Sequence, residues 1–268
     1  MPVPAPSAEA RAVVTGASQN IGEALANELA ARGHHLIIAA RREDVLRALA
    51  GRLTQRYGVT VEVRPVDLAD PAERGKLCDE LAVRNISILC ANAGTGTFGP
   101  VASLDPAAEK AGVQLNVLGV HDLALAVLPG MVDRGAGGIL ISGSAAGNSP
   151  IPNNATYAAT KAFVNTFSES LRGELKRAGV HVTLLAPGPV RTELPEADEQ
   201  SLVERLIPDF LWISTQHTAK LSLDGLERNK MRVVPGVTSK AMSVAAGYAP
   251  RAIVTPIVGA VYKKLGGD

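Results

Sequence analysis

Short apolar runs alternate with segments of helical periodicity along most of the chain, and this alternation predicts the fold. Seven strands are predicted, at Ala12–Thr15, Leu36–Ala40, Val59–Val66, Ile86–Ala91, Gly138–Ser142, Val182–Ala186 and Arg232–Val234. The segments between them are long enough for crossover helices, which favours parallel strands with helices on both faces of a doubly wound sheet. Ligands of such sheets bind beyond the carboxyl ends of the strands.

Composition supports a single globular domain for the 268 residues, of which 46% are hydrophobic and 20% charged. Aromatic residues make up only 3%, so we expect a core of Val, Leu, Ile and Ala, as buried parallel strands have. A net charge of +1 gives no reason to expect nucleic-acid binding.

The sequence also bears on where the protein is found. Two cysteines, Cys78 and Cys90, do not make a disulfide framework and indicate reduced thiols. The first ten residues lack the basic and apolar regions of a signal peptide, and we identified no apolar run of membrane-spanning length. We therefore predict a cytoplasmic protein, without membrane association.

A glycine turn follows the first predicted strand, in the stretch TGASQNIG from Thr15 to Gly22. Glycine lets the backbone approach a phosphate at a helix N-terminus, where free N–H groups and the helix dipole attract anions. The second strand ends at Arg41 and Arg42, where an acidic residue would bind the ribose of NAD. Arginines suit a 2′-phosphate instead, so we predict NADP(H); the alternative is a pair of solvated arginines at a helix start.

Tyr157 and Lys161 lie four residues apart at the start of a predicted helix within Pro150–Arg177, so their side chains share a face. A nearby positive charge favours phenolate and lowers the tyrosine pKa, which suits acid/base chemistry. The spacing is common on solvated helices. The pair alone therefore does not establish a site.

Six motifs occur together in an order and spacing that resemble the short-chain dehydrogenase/reductase family. They are TGASQNIG, ANAG at Ala91–Gly94, Asn116 within LNVLG, Ser144 within ISGSAAG, YAATK at Tyr157–Lys161, and PGPVRT at Pro187–Thr192. The resemblance covers residues 11–193, with a shared core that extends to residue 235, and it implies a Rossmann-type α/β fold. One departure is Asn20, where the family's turn usually has glycine; Asn adopts left-handed backbone more readily than most residues, so we expect the turn to survive.

The resemblance implies a carbonyl–alcohol oxidoreductase with four catalytic residues. Tyr157 would be the general acid in reduction and the base in oxidation. Lys161 would hold the nicotinamide ribose and, together with the charge of oxidised nicotinamide, lower the Tyr157 pKa. Ser144 would hydrogen-bond the substrate oxygen, and Asn116 would position a water that connects Lys161 to solvent.

The same resemblance places the NADP(H) contacts residue by residue, and it implies no metal. Phosphate contacts would come from the glycine turn, the 2′-phosphate contact from Arg41, and the adenine and ribose contacts from the ends of the third and fourth strands. The full set is Gly16, Ser18, Ile21, Gly22, Arg41, Asp67, Leu68, Asn92, Ala93, Gly94, Tyr157, Lys161, Pro187, Gly188, Val190 and Thr192. Without the family context, Asn92 could cap a strand and Asp67 a helix.

Two further segments are interpreted from their apolar positions. Residues 193–214 are the predicted substrate lid, whose stripe of Leu202, Val203, Leu206 and Ile207 suggests a hydrophobic substrate such as an acyl chain or polycyclic ketone, with ordinary packing as the alternative. Residues 236–268 form a predicted C-terminal extension that covers the site or a neighbouring subunit, with association with an acidic membrane surface as the less favoured alternative. The family implies a homodimer or homotetramer, formed through the helices in Pro106–Arg134 and Tyr157–Arg177.

Two alternatives to an NADP(H)-dependent enzyme stay open at this stage. One is an NAD-linked alcohol or hydroxysteroid dehydrogenase, against which the arginine pair argues. The other is a sensor or scaffold that binds NADP(H) without turnover, against which the set of catalytic residue types argues.

Overall fold

The structure is a computed structural model that describes residues 3–188, 190–191 and 212–236. Its strands are β1 Arg11–Thr15, β2 Leu36–Ala40, β3 Val61–Pro65, β4 Ile86–Ala91, β5 Gly137–Ser142, β6 Val180–Leu185, β7 Val190–Arg191, β8 Ile213–Ser214 and β9 Arg232–Val233. Its α-helices are α1 Asn20–Ala31, α2 Glu43–Tyr57, α3 Pro71–Ala82, α4 Pro106–Val113, α5 Gly119–Asp133, α6 Ala155–Glu174 and α7 Thr215–Glu227. A π-helical segment, Gln114–Leu118, joins α4 to α5.

Seven strands form one parallel sheet in the order β3-β2-β1-β4-β5-β6-β9. Val14 of β1 lies between Ile38 of β2 and Cys90 of β4. The strand order reverses at β1, so the loops after β1 and β4 diverge and open a crevice at the carboxyl ends of the strands. The predicted Rossmann-type doubly wound sheet is confirmed.

The central strands are buried on both faces because helices cover the sheet from both sides, whereas the edge strand β3 is only half-buried. Along β1, Val14 packs toward α1, α2 and α7, and Val13 packs toward α3, α5 and α6. The apolar residues of these helices recur at helical spacing, as Leu46, Leu49 and Leu53 do in α2. The core is aliphatic, as the low aromatic content predicts.

Helix ends follow local sequence signals. Asp70 caps α3 by accepting hydrogen bonds from the N–H groups of Ala72 and Glu73, at 2.7 and 2.9 Å, and Pro71 occupies the first helical position. Gly58 ends α2 in the left-handed conformation, with φ of 69°. Asp70 thus ends the loop that leaves the carboxyl end of β3, and Gly58 begins the connection to the amino end of β3.

Some predicted element bounds differ from the structure. The strand predicted at Val59–Val66 is shorter, since the Thr60 N–H donates to the His35 ring, at 2.8 Å, before β3 begins. The strand predicted at Val182–Ala186 begins two residues earlier, directly after Gly179, whose φ is 71°. The short parallel pair of β7 and β8 was not predicted; it lies at the two ends of residues 192–211.

The prediction that no apolar segment is long enough to cross a membrane was wrong by length and composition. The continuous helical segment Pro106–Asp133 has 28 residues and a mean hydropathy of 1.6. It packs in the domain as α4, the π-helical segment and α5, and 39% of its most apolar window is buried. Core helices of soluble proteins pass the same test, so this segment does not assign the protein to a membrane.

Most of the predicted lid and most of the predicted C-terminal extension lie outside the described residues. The predicted lid at 193–214 is described only at 212–214, and the predicted extension at 236–268 only at Gly236. Helix α7 follows the predicted lid, and Ser214 caps it by accepting a hydrogen bond from the His217 N–H at 3.1 Å.

Candidate active site

The glycine turn connects β1 to α1 and leaves its backbone open to a ligand. A Cβ atom on Gly22 would lie 2.0 Å from the Gly16 carbonyl oxygen, so only glycine fits that position. Asn20 has φ of 55°, which confirms the expected left-handed conformation where the family usually has glycine. Gln19, at the N-cap of α1, makes no side-chain cap hydrogen bond. The N-terminal N–H groups of α1 therefore face the turn without a side-chain acceptor from the cap residue, as a phosphate site requires.

The two arginines after β2 are placed differently. Arg42 reaches back to the glycine turn, where Nη2 donates to the Ser18 carbonyl and hydroxyl oxygens, at 3.2 Å each, and to the Gln19 side chain. Arg41 is exposed at the end of β2. Arg42 is therefore the arginine of this pair that contacts the turn. A direct contact of Arg41 with a 2′-phosphate stays a prediction.

The ends of β1, β4 and β5 are tied together by side chains. The Thr15 hydroxyl accepts hydrogen bonds from the N–H groups of Asn92 and Ala93, at 3.0 and 3.1 Å. The Asn92 amide donates to the Thr15 carbonyl at 3.2 Å and accepts from the Ser142 hydroxyl at 2.9 Å. Asn92 therefore joins three strand ends. A Cβ on the adjacent Gly94 would lie 3.3 Å from Lys161 Nζ, so the loop after β4 passes close to that lysine.

One face of α6 carries Tyr157, Lys161 and Asn165 at successive helical turns. Lys161 Nζ donates to the Ser142 carbonyl at 2.8 Å and lies 5.7 Å from the centroid of the Tyr157 ring. The Asn165 amide donates to the Ser144 carbonyl at 2.9 Å. Tyr157 is in turn hydrogen-bonded to the Ser144 side chain. The helix and the end of β5 thus bring Ser144, Tyr157 and Lys161 together, as the family resemblance predicts.

Asn116 is buried in the π-helical segment and faces the same site. Its Oδ1 accepts from the Thr95 N–H at 2.9 Å, and its Nδ2 donates to the Thr95 carbonyl at 2.7 Å and to the Thr160 hydroxyl at 3.0 Å. The side chain is therefore fixed between the loop after β4 and α6. π-Helical turns within α-helices are frequent at functional sites.

Burial sets the protonation of the tyrosine–lysine pair. It lowers the pKa of Lys161, which is only 4% exposed, to about 8. Burial also raises the pKa of Tyr157, and the hydrogen bond with Ser144 opposes that rise. The prediction that the Lys161 charge alone lowers the tyrosine pKa was wrong, because burial raises that pKa. The lowering implied for the complex, which adds the charge of oxidised nicotinamide, stays a prediction.

A cavity of about 10 Å³ lies beside Tyr157 and Asn116. That volume is about the size that a single water needs. Glu109 also lines the cavity, and its buried Oε2 has no hydrogen-bond partner among the described residues. A larger cavity of about 260 Å³ lies elsewhere, beside Arg32 and His34, and contains none of the predicted site residues. The chemistry of the side chains, rather than cavity size, locates the site.

The remaining predicted cofactor residues lie around this centre. Asp67 Oδ1 accepts a hydrogen bond from the Ala69 N–H at 2.9 Å, which shapes the loop after β3, and the Leu68 side chain is buried. The Pro187 carbonyl accepts from the Ala145 N–H at 3.1 Å. The other positions are Ser18 and Ile21 in the glycine turn, Gly188 after β6, and Val190 in β7, while Thr192 lies outside the described residues.

Comparison with known proteins decides the family. A sequence model described as short chain dehydrogenase matches residues 10–202. The chain belongs to this family. The very-long-chain 3-oxoacyl-CoA reductase of Anas platyrhynchos is 36% identical over 205 residues, which are 73% of this chain and 64% of that protein. The chain thus aligns with less than two thirds of that relative's length.

Two other similar proteins widen the comparison. Sulfoacetaldehyde reductase 2 of Chromohalobacter salexigens is 34% identical over 216 residues, which are 78% of this chain and 85% of that protein. A short-chain dehydrogenase of Sphingobium yanoikuyae, solved in complex with NADPH, superposes with a TM-score of 0.80 and 31% identity. That superposition covers 91% of this chain and 94% of the other. Relatives of this chain therefore include reductases with very different named substrates.

Several residues that position the site were not among those predicted from the sequence. They are Thr15, Ser142, Thr160 and Asn165. Two of them carried a readable signal, because Asn165 continues the four-residue spacing of Tyr157 and Lys161, and Ser142 precedes Ser144 by two residues at a strand end. The contacts of Thr15 and Thr160 depend on the packing of distant segments. No spacing along the chain indicates them.

Proposed function

We propose that this protein is an NADP(H)-dependent oxidoreductase that interconverts a carbonyl and a secondary alcohol. The observation that carries the proposal is the convergence of Ser144, Tyr157, Lys161 and Asn116 at the carboxyl edge of the sheet. The open glycine turn lies at the same edge. A cofactor that extends from that turn would bring its reactive end to the tyrosine.

Each of the four residues has a separate task in carbonyl reduction. The nicotinamide would supply a hydride to the carbonyl carbon. Tyr157 donates its phenolic proton to the carbonyl oxygen, while Ser144 hydrogen-bonds the same oxygen as negative charge develops on it. Lys161, with its pKa near 8, can give up a proton near neutral pH and favours the resulting phenolate when charged. Asn116 lines the cavity with room for one water through which Tyr157 would regain a proton from solvent.

The residues present fit NADP(H) in particular. The glycine turn and the uncapped start of α1 would hold the pyrophosphate, and Arg41 and Arg42 would provide positive charge near the 2′-phosphate. A relative by structure, at 31% identity, was solved with NADPH, which supports the same assignment. The NAD-linked alternative has no acidic residue at Arg41 or Arg42 to receive a ribose hydroxyl.

We propose a long-chain 3-oxoacyl thioester as the substrate class. The support is the named activity of the 36% identical duck reductase, together with the apolar stripe predicted in residues 193–214. Phe98 and Val101, which are 43% and 50% exposed, add apolar surface to the loop that follows β4. The sulfoacetaldehyde reductase relative is the counter-example, since it is named for a short, anionic aldehyde.

A substrate panel tests both parts of this proposal. NADPH oxidation would be followed by absorbance with a long-chain 3-oxoacyl thioester, a short 3-oxoacyl thioester and sulfoacetaldehyde, and each assay would be repeated with NADH. We expect kcat/KM to be highest for the long-chain thioester with NADPH. A preference for sulfoacetaldehyde would refute the substrate class, and a preference for NADH would refute the cofactor assignment.

We also propose that two copies associate through α5 and α6, in the cytoplasm. His121, Leu125 and Val132 form a stripe on α5, and Phe163 of α6 lies beside it, with ring centroids of His121 and Phe163 6.4 Å apart. Leu125, Val132 and Phe163 are 42–52% exposed. A partner surface would bury these apolar side chains and remove the free-energy cost of their contact with water. Light scattering of the wild type and of Leu125→Glu should show a dimer or tetramer and its dissociation. Cell fractionation tests the location.

A further inference from the structure

Arg74 is a buried cation at a core position. Together with Leu77 and Leu81, it forms the buried face of α3, and it is only 4% exposed. Arginine is rarely buried so fully without partners, because removing its charge from water is costly. Its contacts therefore indicate what the protein gains from it.

The guanidinium of Arg74 joins three separate segments. Nη1 donates to the Leu68 carbonyl at 2.8 Å, Nε donates to Asp122 Oδ2 of α5 at 2.8 Å, and Nη2 donates to Gln114 Oε1 at 3.1 Å. Leu68 belongs to the loop after β3, which is predicted to contact the adenine. Gln114 is the first residue of the π-helical segment that contains Asn116. One side chain thus links the adenine side of the site to the segment of a catalytic residue.

The loop after β3 is held by hydrogen bonds to β2, within itself and to α3. The Val66 N–H donates to the Ala40 carbonyl at 3.0 Å. The Asp67 N–H donates to Glu73 Oε2 at 2.7 Å, and the Asp70 N–H donates to the Asp67 carbonyl at 3.0 Å. Arg74 adds the bond to the Leu68 carbonyl, the one contact among these that also reaches α5 and the π-helical segment. The planar guanidinium can satisfy three acceptors in different directions, which a lysine ammonium on a flexible stem does less well.

We propose that Arg74 is a positioning residue for the cofactor site: it fixes the loop of residues 66–70 against α5 so that the loop can receive the adenine, without itself touching the cofactor. The inference rests on the proposed NADP(H) binding for its functional consequence. Its structural part, the ordering of the loop by Arg74, does not depend on any ligand.

The experiment compares Arg74→Met with a matched control, Arg84→Met. Arg84 makes ion pairs with Glu62 and Glu80, at 2.6 and 2.8 Å. It lies just before β4, at the amino ends of the strands, whereas the proposed cofactor site lies at their carboxyl ends. Amide hydrogen exchange of residues 66–70 would be measured without nucleotide, and the Kd of NADPH by calorimetry. Thermal unfolding would report the general loss of stability in both variants.

We expect Arg74→Met to increase exchange in residues 66–70 and to raise the Kd of NADPH by roughly tenfold, since a hydrogen bond from a charged group is lost at the loop. Arg84→Met should lower the melting temperature and leave the Kd and the loop's exchange within about twofold of the wild type, because its lost ion pairs are partly exposed. The loop exchange and the Kd of Arg74→Lys should lie between those of Arg74→Met and the wild type, and this variant serves as the test if Arg74→Met does not fold.

Unchanged loop exchange in the folded Arg74 variants, or equal effects in the Arg84 control, would overturn the inference. A wild type that fails to bind NADPH would instead refute the proposed function, and the exchange data would still decide the role of Arg74.

Discussion

Lys161 and Arg42 are both cations of the proposed cofactor site, but the protein surrounds them differently. Lys161 is 4% exposed and donates to a carbonyl at the end of β5, on a helix whose face also carries Tyr157 and Asn165. Arg42 is exposed and contacts the glycine turn through a long side chain with several rotatable bonds. The reacting end is therefore held by buried packing, whereas the phosphate end is held by surface hydrogen bonds.

The difference follows from what each end must do. Proton transfer requires atoms at hydrogen-bond distance in a fixed geometry, which a buried helix face can provide. Recognition of a phosphate requires charge at about the right place, and a flexible arginine can adjust to it. We therefore expect substitutions at the reacting end to change turnover, and substitutions at the phosphate end to change cofactor affinity.

The largest effect is expected at Tyr157. Tyr157→Phe removes the proton donor and should lower kcat by about 10²- to 10⁴-fold, the usual contribution of general acid catalysis. The Kd of NADPH should stay within about twofold, because the ring still packs against the loop after β4. Tyr57→Phe, on α2 away from the site, is the matched control. Equal turnover of Tyr157→Phe and the wild type would refute the assigned acid.

A smaller effect is expected at the phosphate end, where two single variants separate the two arginines. Arg41→Gln should raise the Kd of NADPH by about tenfold and leave that of NADH unchanged, since a charge-assisted hydrogen bond to a phosphate contributes about 1.5–3 kcal/mol. Arg42→Gln should weaken both nucleotides, because Arg42 orders Ser18 and Gln19 of the turn that both would use. Calorimetric titration measures both constants, with the exposed Arg47→Gln as control. Weaker binding of NADPH alone in Arg42→Gln would show that Arg42, rather than Arg41, reads the phosphate.

The smallest effect concerns the stability cost of burying Lys161. Its folded pKa of about 8 lies below the unfolded value of about 10.4, so above pH 8 the unfolded chain binds more protons than the folded one. The free energy of unfolding should therefore rise with pH in this window, by about 1.5 kcal/mol between pH 8 and 9.5 relative to Lys161→Met. Urea denaturation of both proteins at the two pH values measures the difference. If the free energy of unfolding changed with pH in the same way in the wild type and in Lys161→Met, the lowered pKa of Lys161 would be contradicted.

Much of the buried, reacting end of the site could be predicted from the sequence. Periodicity identified the central strands, and the family resemblance carried by the six motifs implied that Ser144, Tyr157, Lys161 and Asn116 form one site. Asn20 was correctly expected to take the left-handed conformation. In each case the backbone determines where the side chain lies.

The sequence was less informative where side chains select among neighbours. The sequence does not distinguish the two adjacent arginines after β2. Only the structure shows that Arg42 turns toward Ser18. No sequence signal singles out Arg74, because its burial depends on α5 and on Gln114, which lies 40 residues away. The rise of the Tyr157 pKa is likewise a result of burial by distant segments, which a charge argument along one helix does not capture.

The π-helical segment at Gln114–Leu118 also sets the rotational phase of the long helical segment in which it lies. A π-turn contains an additional residue, so it shifts the sequence that follows relative to an uninterrupted α-helix, in which each residue turns by about 100°. With this shift, α4 faces the start of α6 while α5 lays Leu123 and Val127 on the sheet. Removal of one residue from the turn would convert it to regular helix, and either Asn116 or the apolar face of α5 would then point away from its partner. The π-helical segment thus sets the rotation of the part that carries Asn116 relative to the part, α5, that packs on the sheet.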